Sequence, residues 1–555
     1  MEKILVLQLN RLGDLVQTLP LLRRLHNQYP DREISLVCLP SLVTLIESCS
    51  YIHRIIAISD SDLGSFLSEV YPNENANLRD KWFKRFPHFF DHYRISINIT
   101  NDLNSAILIQ HISADKKLGR IHTIEGEIRL LGPWAKYLFA MVGHRMENLF
   151  NIVDIQMGIA GLDFHQEKNS LEIRKSEFEK MESRLILLGR NPEKTLVAIQ
   201  TGASQLHRAW ALENFAWLAK ELIEKDQIEI LLVGDSSEKS RAENLIDRIG
   251  YSSSIFNLVG ETTLRQLPAA LKCCSLLISN DTGTIHIAAA VGTKTLGLFF
   301  STAYFSETAP YGEGHIIMQV EIPCAPCNAS NLCPKQNCRE FLLPEAVYAT
   351  TSWQLENLTD NENLTDSTKS FSPNFPWPNL SLYRSQFLSN GMLIYLPFLR
   401  PPSTHYQPAL FGRLLWEGAM DLITDPILND LVNDSHTNIG EAFQQIEKTN
   451  STLISMGATF SQGLNLARKI RQEFSELEPR RERILMLHEQ LKMLTQSLSD
   501  IASHGNLIGA FFNFEMMDLE FASYPKMAQL LEEKYAALLE WSNRFQKSAL
   551  ALTRH

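Results

Sequence analysis

Three clusters of polar residues stand where apolar strands run into helices, and their side chains suit a phosphorylated ligand. The first is Asn10-Arg11-Leu12-Gly13-Asp14, after the apolar run Lys3 to Leu9. The second runs from Thr201, Gly202, Ala203 and Ser204 to Arg208 and Trp210, after Thr195 to Gln200. The third is Asn280-Asp281-Thr282-Gly283-Thr284, after Leu276 to Ser279. It leads into a short helix, Ile285 to Val291, that stops at Gly292. A helix N-terminus offers free N–H groups to a phosphate. Asp281, Thr282, Thr284 and His286 add side chains that could hold a nucleotide diphosphate. The alternative is that Asp281 and Thr282 only cap the helix. A fourth cluster is built of sulfur: Cys324, Cys327, Cys333 and Cys338 follow the spacing C-x2-C-x5-C-x4-C. Four thiolates this close in sequence can surround one metal ion tetrahedrally, and they leave no open position for catalysis. Zinc or iron in a structural role is the expectation, with Pro323, Pro326 and Pro334 stiffening the loop. Cys38, Cys49, Cys273 and Cys274 lie in apolar or helical contexts and read as ordinary buried residues.

The elements that must carry these clusters alternate short strands with helices, which predicts a parallel, doubly wound α/β sheet. After Lys3 to Leu9 comes a helix from about Leu15 to Gln28, with Leu15, Leu19, Leu22 and Leu25 on its apolar face. Strands are expected at Ile34 to Leu39, Ile55 to Ile58 and Ile95 to Thr100. The aromatic stretch around Trp82, Phe83, Phe86, Phe89 and Phe90 reads as a packed helix, or as a helical insertion near an acceptor site. A boundary is expected between Gly161 and Asn191, beside the charged helix Lys175 to Leu188. From Thr195 the second half repeats the pattern of the first. Two tandem α/β domains, 1–165 and 166–345, imply a cleft between them.

Composition excludes several classes. A net charge of −11 argues against broad nucleic-acid binding, which favours a basic face. No run of about 18 apolar residues occurs, so no transmembrane helix is expected. The opening MEKILVLQLNRLGD reads as a strand and lacks the basic n-region of a signal peptide. A cytoplasmic location follows, where cysteines are free or metal-bound. Neither half carries G-x-G-x-x-G after its first strand, which argues against a dinucleotide-dependent dehydrogenase, and the P-loop signature is missing too.

Taken together, the three loops resemble glycosyltransferase family 9, the ADP-heptose heptosyltransferases, over roughly residues 1–345. Gly13-Asp14 with Thr18 and Pro20 is similar to that family's G-D-x-x-x-T-x-P signature. Thr201-Gly202-Ala203-Ser204 with Arg208 and Trp210 is similar to P-G-A-S…K-x-W, with Thr201 in place of Pro and Arg208 in place of Lys. Asp281-Thr282-Gly283-Thr284-Ile285-His286 resembles D-[TS]-G-x-x-H. The resemblance implies a GT-B fold, two Rossmann-like domains facing across a cleft. It implies a nucleotide-sugar donor, ADP-heptose, held by the second domain, and an acceptor hydroxyl on lipopolysaccharide core or on a protein. Some members carry a similar cysteine-rich loop, and in some bacterial protein heptosyltransferases it holds iron.

Sugar transfer needs a base for the acceptor hydroxyl and a stabilised diphosphate leaving group. Asp14, at the end of the first strand, is the general-base candidate and matches the family's catalytic Asp. The neighbouring helix N-terminus should favour its anion, so it should be ionised at pH 7 and act as a weak base that relies on orientation. The competing reading makes Asp14 a helix cap only. Arg208 can fork onto phosphate oxygens, a geometry that Lys does not reproduce, or it is a solvated surface residue. Ser204, the backbone around Gly202, and Thr282, Gly283 and Thr284 would contact phosphate. His286 would meet phosphate or ribose, and Glu238 after Gly234-Asp235 would meet ribose, unless they are a structural histidine and a surface charge. No metal is needed for this scheme, and no D-x-D pair stands out.

Residues 346–385 read as a polar linker, with sequons at Asn357, Asn363 and Asn379 that a cytoplasmic chain leaves unmodified. A strand at Met392 to Leu396 is expected, and the remainder of 386–555 as a helical extension. Ile484, Leu487, Leu491, Leu494, Leu498 and Ile501 follow a 3-4-3-4-3 spacing, the seam of a helical bundle. Phe511-Phe512-Asn513-Phe514 reads as core. The extension could mediate self-association or dock a protein, at the face of the inner membrane or free of it. The competing function is a non-catalytic scaffold of transferase fold whose extension binds a partner.

Overall fold

The computed structural model describes residues 2–69, 82, 84–123, 128–167, 170–203, 205–250, 252–325, 327, 333, 337–358 and 377–398. In the C-terminal part it describes 410, 413, 416–417, 419–420, 439–474, 486–487, 489–490, 493–494 and 524–552. The chain forms two compact units. The first comprises Met1–Lys117, Phe150–Phe387 and Gly391–Pro401; the second comprises Leu118–Leu149, Leu388–Asn390 and Pro402–His555.

The first unit holds two sheets. In one, β1 (Lys3–Leu7) lies parallel between β2 (Glu33–Cys38) and β4 (Tyr93–Asn98), and β2 pairs with β3 (Arg54–Ala57). The order is β3-β2-β1-β4, followed by β5 (Ala114–His122), along which the chain passes into the second unit. There β5 pairs antiparallel with β6 (Ile128–Leu131), Gly119 opposite Leu131.

The other sheet is built on β7 (Leu196–Gln200), β8 (Glu229–Leu232), β9 (Ile255–Asn257), β10 (Leu276–Asn280), β11 (Lys294–Phe299) and β12 (Ile316–Val320). Its order β9-β8-β7-β10-β11 repeats β3-β2-β1-β4-β5. Every residue of β7 and β10 is buried, as expected of central parallel strands covered on both faces. Trp210 and Phe215 pack on this sheet with Val197, Ile199 and Ile278. In both sheets the order reverses beside the first strand, between β1 and β4 and between β7 and β10. The carboxyl ends of the strands open a crevice at such a point. The three polar loops sit at the ends of β1, β7 and β10.

Two expectations are corrected. The α/β part does not stop near residue 345. Pro344–Glu356 is a helix packed against the second sheet's core, and β13 (Leu380–Phe387) and β14 (Leu393–Phe398) add antiparallel to β12. The strand near Met392 is therefore part of that sheet, and its Pro397 is tolerated because β14 is the edge. The first helix, α1 (Leu12–Gln28), begins three residues earlier than its apolar face suggests, because the Asp14 carboxylate accepts the Arg11 N–H at 3.2 Å and closes its first turn.

In the second unit two long helices, Ile439–Phe474 and Tyr524–Leu552, pack along each other. Leu453, Met456, Phe460, Leu464 and Ala467 are buried on one, and Tyr535, Leu538, Phe545 and Ala549 on the other. Ser542 Oγ donates to Leu453 O at 2.9 Å. Arg413 and Glu417, both fully buried, form an ion pair at 2.8 Å, and Arg413 Nη1 also donates to Leu149 O. Of the stripe from 484 to 501, Leu487 is buried and Leu494 half-buried, while Ile484, Leu491, Leu498 and Ile501, and the stretch 511–514, lie outside the described residues. Among the described residues no helix is long and apolar enough to cross a membrane.

Candidate functional site

The loop ends of the first unit line one cavity of about 780 Å3. Arg11, Gly13, Asp14 and Gln17 come from the α1 side. Gln200, Ala203, Arg208 and Asp235 to Glu238 come from the second sheet, as do Asp281 to Thr284 and His286. The helix after β10, α2 (Gly283–Ala290), points its N-terminus at the cavity. Its N-cap, Thr282, makes no side-chain cap bond. Thr282 Oγ1 instead donates to Gln200 Oε1 at 2.5 Å, which also accepts Ser279 Oγ at 3.0 Å. The capping alternative for Thr282 is thereby set aside. The Ile285 N–H donates to Thr282 O at 3.2 Å, while the N–H groups of Gly283 and Thr284 at the start of α2 suit an anion.

Asp14 lies in the first turn of α1, held through its backbone by Thr18 Oγ1, which donates to Asp14 O at 2.9 Å. Gln8 Nε2 donates in turn to Thr18 Oγ1 at 3.0 Å. Burial pushes the Asp14 carboxyl above the ordinary carboxylate value, against the smaller pull of the Arg11 N–H and guanidinium. The helix N-terminus favours the Asp14 anion, and desolvation acts against it as the larger influence.

The second loop is held by residues whose role is silent in the sequence. Asn280, fully buried, donates from Nδ2 to Thr201 O at 3.2 Å and Gly202 O at 2.9 Å, and accepts Trp210 N–H at 3.0 Å. Arg241 donates to Thr201 O at 3.1 Å and Trp210 O at 2.8 Å. Trp210 Nε1 donates to Leu342 O at 2.8 Å. This frame sets Arg208 at the cavity wall, where Nη2 pairs with Asp281 Oδ2 at 2.6 Å. Arg208 is only 20% exposed, so it is not a solvated surface residue. Its Nε is buried with no partner. Ser204 lies outside the described residues.

Glu238 closes a capping box, accepting Asp235 N–H at 3.0 Å, with Gln200 Nε2 at 3.4 Å. Burial raises its carboxyl. Its carboxylate fills the space above Gly202, where an added Cβ would stand 1.2 Å from Oε1. His286, 6% exposed, has its imidazole pushed down by burial to about 4. It is neutral at pH 7, a hydrogen-bonding group and not a cation. Gly13 faces it closely: a Cβ there would meet His286 Cδ2 at 3.1 Å and press on the ring.

The four-cysteine loop differs from expectation. Cys324 is exposed, Cys327 and Cys333 half-buried and Cys338 buried. Cys327 N donates to Ser301 O at 2.7 Å, and its thiol to Cys324 O at 3.2 Å. Negative charge on Cys333 and Cys324 would raise the Cys338 thiol further above its burial-shifted value, so these sulfurs sense one another. Among the described residues, however, no three His, Cys, Asp or Glu side chains gather to hold a metal ion. The donor chemistry suits zinc or iron, and residues 326, 328–332 and 334–336 of the loop lie outside the described residues.

A half-buried carboxylate, an arginine and a helix N-terminus share one cavity between two doubly wound lobes. That fold and site define a glycosyltransferase of the GT-B class. Residues 90–337 match the model of glycosyltransferase family 9 (heptosyltransferase). Lipopolysaccharide heptosyltransferase 3 of Escherichia coli K12 is 25% identical over 294 residues, 52% of this chain and 80% of that protein. Lipooligosaccharide heptosyltransferase 2 of Campylobacter jejuni is 29% identical over 208 residues, 36% of this chain and 62% of that protein. Among solved structures, the glycosyl transferase family 9 protein of Veillonella parvula superposes with a TM-score of 0.49 at 18% identity. It covers 64% of this chain and 98% of its own.

Proposed function

We propose that the chain transfers a heptose-like sugar from ADP-heptose to a hydroxyl of a lipopolysaccharide-core acceptor, with inversion at the anomeric carbon. The observation that carries this is the shared cavity, with Asp14 on one wall and the N-terminus of α2 on another. Asp14 takes the acceptor's proton as its oxygen attacks the anomeric carbon. The bond to the diphosphate breaks as the new glycosidic bond forms, and ADP leaves with the charge. Arg208 and the first N–H groups of α2 stabilise that charge as it develops. Thr282, Gly283 and Thr284 line the diphosphate side, with Glu238 at the ribose. The family match over residues 90–337 and the names of the two relatives support the heptose. The work would be done in the cytoplasm, at the face of the inner membrane.

Incubating the protein with ADP-heptose and deacylated core oligosaccharide, read by mass spectrometry, should show one added heptose. Asp14→Asn should abolish it with the fold intact. Transfer unchanged in Asp14→Asn would remove the catalytic reading and leave a scaffold of transferase fold. A protein acceptor is the second reading, favoured by the second unit, whose helices lie beyond the family match. It predicts heptose on a co-purified polypeptide and none on core sugar. The same helices are the surface proposed for self-association, read by light scattering. A structural zinc or iron is proposed for Cys324, Cys327, Cys333 and Cys338, tying the loop to the end of β11. Metal analysis of protein purified without oxygen should find one equivalent, lost in Cys324→Ser/Cys327→Ser.

A further inference from the structure

Behind the main cavity lies a small void of about 10 Å3, close to the size of one water, between α1 and α2. Gln17 and His286 line both the void and the main cavity, and Tyr311 lines the void. Gln17 is 5% exposed and His286 6%. Gln17 Nε2 and His286 Nδ1 are buried without a hydrogen-bond partner, an unfavourable state unless something satisfies them. Tyr311 Oη donates its proton to Asp154 Oδ1 at 3.2 Å and keeps lone pairs free to accept. Nothing in the transferase chemistry above uses Gln17.

We infer that Gln17 is a positioning residue that sets the tautomer of His286 through one water in this void. The water accepts the Gln17 amide N–H and donates to His286 Nδ1 and to Tyr311 Oη. Three bonds are the usual number for a buried water. With Nδ1 fixed as an acceptor, the single proton of the neutral ring sits on Nε2. The Nε2 edge then offers an N–H to the ligand in the main cavity. The ligand class for that N–H is an anionic oxygen, such as the diphosphate of the donor. Gln17 stands one turn after Asp14 on α1, so the helix that carries the base also orients a donor for the leaving group.

The inference rests on the donor-site reading above, and its test separates the two. Protein labelled with 15N-histidine should show His286, assigned by its loss in His286→Gln, as the Nε2–H tautomer at pH 7. Gln17→Leu should shift that ring toward the Nδ1–H form, and Gln17→Glu, which changes the amide into an acceptor, should do the same. In transfer assays Gln17→Leu should lower kcat about tenfold, the worth of one hydrogen bond, with Asp14 still essential. A Nδ1–H ring in the wild type, or ring shifts unmoved by both Gln17 variants, would overturn the inference whatever the assay shows. Failure of the wild type to use ADP-heptose, with the tautomer behaving as stated, would overturn the donor reading and leave the Gln17–His286 link standing.

Discussion

Arg208 Nη2 stands 2.6 Å from Asp281 Oδ2, two charges from different loops meeting at the wall of the cavity. On the proposed donor reading, a diphosphate entering the cavity would compete with Asp281 for the same guanidinium, whose Nε has no other partner. The pair therefore keeps Arg208 oriented before the donor arrives.

Arg208→Lys keeps the charge but loses the fork, and should lower kcat about tenfold or more. Arg208→Ala should be worse, about 100-fold or more, because the leaving group then lacks its cation. Asp281→Asn should leave Arg208 unpaired but charged, and should raise KM for the donor more than it lowers kcat. Steady-state kinetics with ADP-heptose would check all three. Equal loss in Arg208→Lys and Arg208→Ala would show that the fork is the whole contribution.

The raised carboxyl of Asp14 makes two linked predictions about pH. Its folded pKa lies above the ordinary 3.8, so the folded state holds this proton longer than the unfolded chain. Ionising it costs stability as pH rises through the folded value, and the cost is complete at neutral pH. Asp14→Asn, which keeps an oxygen for the Arg11 N–H, should raise the melting temperature at pH 7 and lose that advantage below pH 3.8. The wild type's kcat/KM should fall on the acid side with a midpoint above 3.8. Calorimetry and a pH–rate profile give the two readouts.

The three loops were readable because each motif is local: Gly13-Asp14, Thr201 to Trp210 and Asp281 to His286 carry their spacing in the chain itself. So was the doubly wound pattern, since fully buried strands such as β7 and β10 appear as short apolar runs. What was hidden depends on distant partners. Asn280 looks like one more loop residue until it meets Thr201, Gly202 and Trp210. The basicity of Asp14 depends on what buries it, which a helix-terminus rule does not contain. β13 was missed because it follows a polar stretch, and β14, expected as a strand, was assigned to the extension because the pairing of β13 with β12 is a long-range choice. The cysteine spacing is equally local, whereas bringing four thiols around one ion depends on the path of a loop of which residues 328–332 and 334–336 lie outside the described residues.

Gly202 offers a test of the donor wall that leaves the base untouched. An added methyl would lie 1.2 Å from Glu238 Oε1, so the carboxylate must move away. That breaks its contacts with Asp235 N at 3.0 Å and Gln200 Nε2 at 3.4 Å. Gly202→Ala should weaken ADP binding about tenfold, roughly 1.4 kcal/mol, by calorimetric titration. Once Glu238→Ala has removed the carboxylate, adding Gly202→Ala should cost little more. Additive losses would mean that the methyl acts on the nucleotide directly and not through Glu238.

His286 should leave its mark on acid stability. Its imidazole ordinarily titrates near 6.5, and burial brings it to about 4. Between those values the unfolded chain binds a proton that the folded ring refuses. Stability is therefore full above about pH 6.5 and lost as pH falls toward 4. One proton taken up only by the unfolded chain across that interval lowers stability by an amount on the order of 3 kcal/mol. His286→Gln removes the titration, so the fall in the urea midpoint between pH 6.5 and 4 should be shallower than in the wild type. His315, also buried and pushed down to about 3, remains in the variant, so part of the acid limb should persist. Identical acid limbs in the two proteins would mean that His286 takes up its proton in the folded state, and that the ring opens to solvent at low pH.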